Sequence, residues 1–590
     1  MAVRAPKRYF LFSVAAFGTA IISPAFAQTR EEITRKPIAP LPRSVAQDIS
    51  VNDGIERAPC PLASPEFADL KLTLSAAEFS NLKGISAELL KPAYAAYLGQ
   101  TIPIATVCDI RDNAATILRR VGYLAAVQVP PQKIEGGRVQ FDVLLAKLVD
   151  FQVRGDAGKA EGLIASYLSA IKDQPVFNIL EAERYLLLAR DIPGYNVRLT
   201  LRPAGTVPGE VIGEVLVDYT RVEAEVNVQN YGSKETGRFG GLAQVHYNGL
   251  LGMGDRTSLG YFATADFKEQ HVVQFNHQSR VGKEGLTLAG DFYYAWTKPS
   301  IGPGIDLTSN TWVGAIEARY PLVRRQTRNM ILAGGLDLIN QKVRVGGLPL
   351  STDKLRVAYA RVDYDVFDAG SIGSVAGYSA SEPRWRFGGS LEARQGLVIL
   401  GNSKDCGPTL ARCALPGVTP ISKVEADTTA FVLRGNAVAE FRPTPTIAIV
   451  TSARLQYTFD ALLSFEEFSA GTFTIGRGYD PGTLTGDSGV SLSGELRLGS
   501  LIPANAKAFA FQPYVFTDAA WVWNKDLSNP AKDPQRLVSA GGGVRVAYGD
   551  RANLDIGAAF PLKKAGLLTE RPDVRFLMNL TIRLLPWKRR

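Results

Sequence analysis

The stretch Leu286-Thr287-Leu288-Ala289-Gly290-Asp291-Phe292-Tyr293-Tyr294-Ala295-Trp296 alternates between apolar and polar side chains with a period of two. One face carries Leu286, Leu288, Phe292, Tyr294 and Trp296, and the other carries Thr287, Asp291 and Tyr293. Successive side chains of a β-strand point to opposite faces, so the stretch predicts a strand with one apolar face. A strand of ~9–11 residues is long enough to cross a bilayer when it is tilted.

The same alternation recurs along residues 222–590, where helical periodicity is nearly absent. Further runs lie at residues 311–322, 385–394, 431–441 and 575–584. The strands of a water-soluble sandwich would also alternate, but they average ~5–6 residues, which is shorter than these runs. Allowing ~20–25 residues for each strand and its connection, the region holds roughly 14 to 18 strands. We therefore expect a transmembrane β-barrel of about 16 antiparallel strands whose polar face lines a wet lumen, as a pore or a plugged pore.

The composition agrees with β structure and argues against several classes of function. The 590 residues include 56 glycines, 21 tyrosines and 27 phenylalanines, but only three histidines. The formal net charge is +9, and acidic residues are interspersed with basic ones, which argues against a nucleic-acid partner. No Gly-x-Ser-x-Gly motif occurs, and His246, His271 and His277 fall in the first barrel hairpins, where we interpret them as wall or rim residues. We predict no enzyme activity, no cofactor and no metal site.

The first residues predict an exported protein. Arg4, Lys7 and Arg8 precede an apolar run and the small-residue pattern Ala25-Phe26-Ala27, which is typical of a secretory signal peptide over residues 1–27, cleaved before Gln28. The alternative is an N-terminal membrane anchor, but the run falls short of the ~20 apolar residues that a spanning helix needs. Residues 28–66 predict a short charged helix and a proline-rich linker.

Residues 67–221 show helix and strand signals in an order that occurs twice, which predicts two α/β domains at residues 67–146 and 147–221. In the first domain, a capping box of Ser75 and Glu78 predicts a helix start, and further helices are expected at residues 88–98 and before Gly122. Strands are expected at residues 124–129 and 138–146. The second domain is expected to have strands at residues 149–154, 195–202 and 210–219, and helices at residues 159–171 and after Asn178.

The four cysteines fall into two local groups. Cys60 precedes the first α/β domain and Cys108 lies within it, whereas Cys406 and Cys413 lie in a turn-rich segment at residues 401–420. In an exported chain an even number of cysteines favours disulfides, so we predict one bond within each group. Free thiols are the alternative.

Several motifs resemble those of a known family. They are Arg119-Arg120-Val121-Gly122-Tyr123 and Val129-Pro130-Pro131-Gln132 in the first domain, Glu183-Arg184-Tyr185-Leu186-Leu187-Leu188 and Asp191-Ile192-Pro193-Gly194 in the second, and Gly252-Met253-Gly254-Asp255 in the first barrel hairpin. With the leader, linker and barrel, the chain resembles the outer-membrane transporters of two-partner secretion, the haemolysin-activation and filamentous-haemagglutinin-export family. The resemblance implies that the two α/β domains are periplasmic polypeptide-transport-associated (POTRA) domains.

One barrel loop carries the motif that is most typical of the superfamily. Ile475-Gly476-Arg477-Gly478-Tyr479-Asp480 resembles an Arg-Gly-aromatic tip that folds back into the barrel. Its companions on the next two strands correspond to Glu495 and to Phe516-Thr517-Asp518. Alternation places Glu495, Phe516 and Asp518 toward the lumen, within reach of Arg477. The alternative is a glycine-rich surface turn with unrelated charges in the lumen.

The chain also departs from the family pattern at two places. Gly476 stands where relatives commonly have Val or Ile, and residues 586–590 extend beyond the usual aromatic C-terminus. Residues 28–36 either form the helix that plugs the pore in the family or belong to the linker.

The resemblance implies export of a large secreted exoprotein of the haemolysin or adhesin type, bound through the POTRA domains. It further implies a monomeric barrel in the cell outer membrane, in contact with outer-membrane lipids. The alternative is an assembly factor that inserts other barrels into the outer membrane. Two POTRA domains favour transport, because insertases of this superfamily usually carry more. A passive porin or a surface enzyme would have no use for two docking domains.

Overall fold

The computed structural model describes residues 28–34, 49–51, 60, 62, 64–205, 207, 209–525, 533–566 and 568–586. The predicted signal peptide, most of the predicted linker and residues 587–590 lie outside this part. The first elements of the described part are helix α1 (Arg30–Thr34) and strand β1 (Ile49–Val51). In the described part, no helix is both long enough and apolar enough to cross a membrane.

The first α/β domain packs helix α2 (Thr106–Arg120) on a small sheet. Its strands are β2 (Lys71–Thr73), β3 (Ala76–Ser80), β4 (Thr101–Pro103), β5 (Ala125–Gln128) and β6 (Arg138–Leu145), and its 3₁₀ helices are Pro65–Phe67, Ala87–Ala93 and Ala95–Tyr97. The sheet has the order β3-β6-β5, whereas β2 and β4 pair in a separate two-stranded sheet. Ile110, Leu118 and Phe141 are fully buried in the core. The helix predicted from Ser75 and Glu78 is wrong, because this segment is β3, paired in parallel with β6. The helix predicted at residues 88–98 is replaced by two 3₁₀ helices.

The second α/β domain follows the predicted element order. It consists of β7 (Lys147–Gly155), α3 (Glu161–Lys172), α4 (Ile179–Arg190), β8 (Tyr195–Pro203) and β9 (Glu210–Tyr219). Asn178 caps α4, because its side chain accepts a hydrogen bond from the backbone N–H of Leu180 at 2.9 Å. The sheet order is β1-β8-β9-β7, so a strand from the predicted linker region joins this sheet at its edge.

The described residues from 222 onward form the barrel. Its strands are β10 (Val222–Gln229), β11 (Gly240–Asn248), β12 (Arg256–Thr264), β13 (Gln270–Val281), β14 (Leu286–Thr297), β15 (Leu307–Arg324), β16 (Arg328–Val345), β17 (Leu348–Phe367), β18 (Trp385–Gly396), β19 (Phe431–Thr444), β20 (Ile447–Thr458), β23 (Ser488–Leu498), β24 (Phe509–Trp523), β25 (Gln535–Tyr548), β26 (Ala552–Pro561) and β27 (Arg575–Leu585). Strands β21 (Phe468–Ala470) and β22 (Leu484–Gly486) form a separate hairpin. The 16 barrel strands are antiparallel, and β10 pairs with β27 to close the cylinder. The predicted closed barrel is confirmed.

The faces of the barrel strands are those that alternation predicts. On β14, Leu288, Phe292 and Trp296 are 41–47% exposed on the outer wall, whereas Thr287 and Tyr293 are 5% exposed and face inward. The turns at residues 249–255, 282–285 and 325–327 contact the second α/β domain, so this end of the barrel is called the inner end. The opposite end is the outer end. The structure contains the disulfides Cys60–Cys108 and Cys406–Cys413.

Candidate functional site

The loop between β20 and β23, residues 459–487, folds into the lumen and brings Arg477 to the wall. The guanidinium holds Asp518 in a two-point contact, with Nη2–Oδ1 at 2.8 Å and Nε–Oδ2 at 3.0 Å. Its Nη1 lies 2.7 Å from Glu495 Oε2, and its Nη2 lies 3.0 Å from Ser493 Oγ. The guanidinium carbon is 3.5 Å from the centre of the Phe516 ring. The structure thus brings Arg477 together with all three wall residues that the sequence singled out.

Strand register explains why these wall residues converge. Neighbouring strands β23 and β24 pair Ser493 with Asp518 and Glu495 with Phe516, so four inward side chains form one compact square. Glu495 also accepts from Arg497 at 2.6 Å and from Arg545 at 2.6 and 3.1 Å. A carboxylate with this many cationic partners stays charged in a confined space.

The residues around Arg477 fix the loop against the wall. Gly476 has φ of +131°, a conformation that suits glycine and that residues with a side chain rarely adopt. A Cβ atom on Gly478 would lie 2.7 Å from Cβ of Ser539, so a side chain there would clash with the wall. Tyr479 is fully buried, and its hydroxyl lies 2.8 and 2.7 Å from the carbonyl oxygens of Val538 and Lys563.

Helix α1 lies inside the lumen, which favours a plug over a linker for residues 28–34; residues 35 and 36 lie outside the described part. Arg30 Nη2 is 2.8 Å from Asp337 Oδ2, and Arg454 Nη2 is 2.7 Å from Glu31 Oε1. Ile33 is fully buried. The sequence predicted the short helix but left its place open between plug and linker, because its partner Asp337 lies more than 300 residues away.

A second ionic cluster, which sequence reasoning missed, anchors this plug. Arg394 is 1% exposed and lies 2.8 Å from Asp337, 2.9 Å from Glu466 and 3.1 Å from Glu392. Arg434 Nη2 is 2.8 Å from Glu466. Alternation along β18 gives the inward direction of Arg394, but only the folded loop brings Glu466 to it.

An apolar band runs across the lumenal face of the barrel wall. Direct cross-strand partners on β11–β14 are Leu242, Phe262, Val272 and Ala295, and those on β14–β17 are Tyr293, Val313, Ile339 and Leu355. We call these eight residues the lumenal apolar half-ring. They are buried beneath Ile33, Cys406, Ile421, Ala426, Leu463 and Phe465. The expectation of a polar, wet lumen is wrong on this side, because apolar side chains of α1 and of two loops fill the space.

The loop between β18 and β19, residues 397–430, covers the outer mouth. Lys423 Nζ is 3.0 Å from Glu467 and 2.9 Å from Asp487, and these two carboxylates are buried. The backbone N–H of Ser422 donates to Asp353 Oδ1 at 2.8 Å. The mouth is therefore closed by a loop that is tied to the arginine-bearing loop and to the wall.

The second α/β domain is docked on the inner end of the barrel. Arg324 makes a two-point ion pair with Asp191, at 2.6 and 2.8 Å. Arg184 donates to the carbonyl of Pro321 at 3.1 Å. The backbone N–H of Gln326 donates to Glu183 at 2.6 Å, and burial raises the pKa of Glu183. The motifs that carried the resemblance in this domain thus form the contact with the barrel.

The three histidines lie on β11 and β13, as predicted. His246 lies 2.7 Å from Ser258 Oγ, and His277 lies 2.9 Å from Thr257 Oγ1. His271 lies 2.8 Å from the Tyr261 hydroxyl. Each histidine therefore has a hydroxyl partner on the neighbouring strand. Among the described residues, no group of three or more His, Cys, Asp or Glu side chains is arranged to hold a metal ion.

Comparisons with known proteins agree with this architecture. The family model described as haemolysin secretion/activation protein ShlB/FhaC/HecB matches residues 215–546. The heme/hemopexin transporter protein HuxB of Haemophilus influenzae (strain 86-028NP) is 27% identical over 166 residues, which cover 28% of this chain and 29% of HuxB. The structure of CdiB from Escherichia coli is similar with a TM-score of 0.68 and 16% identity, covering 90% of this chain and 93% of CdiB. CdiB from Acinetobacter baumannii gives a TM-score of 0.63 at 16% identity, covering 91% and 94%.

Proposed function

The chain belongs to the haemolysin secretion/activation family (ShlB/FhaC/HecB), as its motifs predicted, and we propose that it exports a large partner exoprotein across the outer membrane without bond chemistry. The observation that carries the proposal is a closed barrel whose lumen is filled by segments of the chain itself. These segments are α1, residues 397–430 and residues 459–487, and ion pairs and apolar contacts hold them there. Such a lumen is a pathway that opens when the segments move.

The exported partner is proposed as a class of protein. HuxB is named as a heme/hemopexin transporter, and its match spans 29% of its length. For this chain we propose a large secreted protein of the haemolysin or adhesin type that crosses while unfolded or extended. Folding of the exported chain outside the cell would bias its movement outward.

The two α/β domains are proposed as periplasmic POTRA domains that receive the partner. Strand β7 pairs with β9 on one side and, within the described residues, has no strand on its other side. An extended segment of the partner can add to such an edge through main-chain hydrogen bonds. Because the second domain is tied to the inner end by Asp191 and Arg324, a strand added there would be held beside the barrel entrance.

Arg477 is proposed as the clamp of the in-folded loop. In the closed arrangement it bridges Asp518 and Glu495, and release of these contacts would let the loop leave the lumen. The clamp, the plug helix and the mouth loop would then act as three layers of closure along one pathway.

Deletion of the gene followed by analysis of the spent medium tests the function. We expect loss of one large exoprotein from the medium, restored by the wild-type gene, with the other outer-membrane barrels unchanged. Broad loss of outer-membrane barrels would indicate an insertion factor and would contradict the proposal. Family membership and the presence of two α/β domains support transport over insertion.

A further inference from the structure

The outer ends of β16 and β17 carry three cations on the lipid-facing side of the barrel. Lys342 and Arg344 lie on β16, and Lys354 lies on β17. Their sequence neighbours Val343 and Asp353 are 6% and 1% exposed and face the lumen. Because side chains alternate along a strand, Lys342, Arg344 and Lys354 point outward. We call these three residues the cationic patch.

The three cations are neighbours in the sheet. Lys342 and Arg344 are two residues apart on one strand, a separation of ~7 Å. The register places Lys342 opposite Thr352 and Lys354 opposite Asn340. Lys342 and Lys354 are therefore diagonal neighbours, ~7–8 Å apart. Long side chains at this spacing can converge on one phosphate group.

The cationic patch lies just beyond the aromatic residues of the outer wall. Trp312 on β15 is paired with Asn340, so Lys342 is two residues further toward the outer end. The Trp312 ring packs 6.4 Å from that of Phe292, and the Arg356 guanidinium is 6.0 Å from it. Aromatic side chains mark the membrane interface of transmembrane barrels. The patch therefore lies at the level of lipid headgroups.

The charge of the patch is not neutralised by any carboxylate among the described residues. Within the described part of the chain, Lys342, Arg344 and Lys354 have no acidic ion-pair partner. The neighbouring hairpin differs, because its Lys298 is paired with Asp306 at 2.9 Å. Three like charges at close range repel one another, so this surface is complementary to an anion.

We propose that the cationic patch binds the phosphorylated headgroup of an outer-leaflet lipid, whose acyl chains lie along the apolar wall below Trp312. Clusters of Lys and Arg next to an apolar membrane surface recognise anionic headgroups. Arg344 can donate two parallel hydrogen bonds to a phosphate, and the two lysines supply point charges. The backbone of Lys354 also accepts a hydrogen bond from Ser403 N at 2.8 Å. The bound lipid would thus lie beside the loop that closes the mouth.

Native mass spectrometry of the purified full-length protein in detergent tests the proposal. The probes are lipid A with its phosphates and lipid A from which the phosphates have been removed. We expect the triple variant Lys342→Gln, Arg344→Gln, Lys354→Gln to bind phosphorylated lipid A at least tenfold more weakly and to bind the dephosphorylated lipid as before. The matched control is Lys268→Gln, Lys564→Gln, Arg571→Gln, which removes exposed cations from other outer hairpins and should leave both affinities unchanged.

Two results would overturn the site. One is an equal loss of binding in both triple variants, which would indicate general attraction by net charge. The other is wild-type binding that does not distinguish the two lipids. Migration of unboiled samples on gels verifies that each barrel is folded. If the triple variant does not fold, Arg344→Gln alone is measured, for which we expect at least a threefold loss, and unchanged binding would refute the site.

Discussion

Replacing Arg477 with alanine is the sharpest perturbation of the in-folded loop. Asp518 is 1% exposed, and among the described residues Arg477 is the cation with which it pairs. Glu495 keeps cationic partners, because Arg497 and Arg545 remain bound to it after the substitution. The loss therefore falls on Asp518.

The free-energy cost of the substitution depends on the hydrogen bonds that Asp518 keeps. Removing one partner of a buried ion pair costs about 3–5 kcal/mol, because the other charge stays buried. Asp518 still accepts from Ser493 Oγ at 2.8 Å and from the backbone N–H of residue 477 at 3.0 Å, which alanine retains. We therefore expect a cost at the lower end of this range, about 3 kcal/mol. At about 1.4 kcal/mol per factor of ten, the loop equilibrium would shift roughly a hundredfold toward release.

The assay is secretion of the partner by a deletion strain that carries each variant. We expect Arg477→Ala to increase the frequency of open events in planar bilayers. We also expect it to lower the exoprotein in the medium at least tenfold, because the loop no longer returns to one closed arrangement between rounds of transport. Arg477→Lys should give an intermediate result, since one ammonium group cannot reproduce the two-point contact with Asp518. Arg536→Ala, at an exposed position of β25, is the matched control. Normal secretion by Arg477→Ala, with normal amounts of folded barrel, would refute the clamp.

The remaining predictions address other contacts. Lys423→Met removes the cation from two buried carboxylates, so the mouth loop should loosen and single-channel conductance should rise; unchanged conductance would argue against a latch. Ile33→Asp places a charge in the apolar contact of the plug helix, and we expect the helix to leave the lumen, detected as protease cleavage near residue 33. Serine at Cys60 and Cys108 removes a crosslink with a sequence separation of 48, which should lower the stability of the first α/β domain by about 4 kcal/mol, measured by hydrogen exchange. Burial raises the pKa of Glu183, so docking binds a proton and weakens as pH rises through the range above the usual carboxyl pKa; Glu183→Gln should remove this pH dependence of hydrogen exchange at residues 325–327.

Strand faces were the part of the structure that the sequence predicted best. A membrane barrel places lipid on one face of every strand, so a two-residue period decides the direction of each side chain. For this reason the inward positions of Glu495, Phe516 and Asp518 follow from the outward positions of Leu492 and Val515. The same rule gives the inward direction of Arg394, although not its partners.

Long-range contacts account for what the sequence did not predict. The Ser75 and Glu78 pattern is compatible with a helix start, yet the same segment pairs in parallel with β6 and buries Ala77. Tertiary pairing here overrides a local signal. The choice between plug and linker for the N-terminal helix stayed open for a related reason. The alternation of β15 and β16 turns Val313 and Ile339 inward, but nothing in those strands specifies that Ile33 and a mouth loop will cover them.

The two kinds of contact in the lumen have different consequences for opening. Covering the lumenal apolar half-ring excludes water and stabilises closure without fixing an orientation. The buried ion pairs around Arg394 and Arg477 fix the orientation of the segments in the lumen, because each pair requires a particular geometry to offset the loss of hydration. When water enters, the separated charges regain hydration, so the free energy of opening is smaller than the dry Coulomb attraction suggests. A lumen sealed by both therefore closes in one arrangement and can still open for an extended chain, which is the behaviour that an exporter requires between rounds of transport.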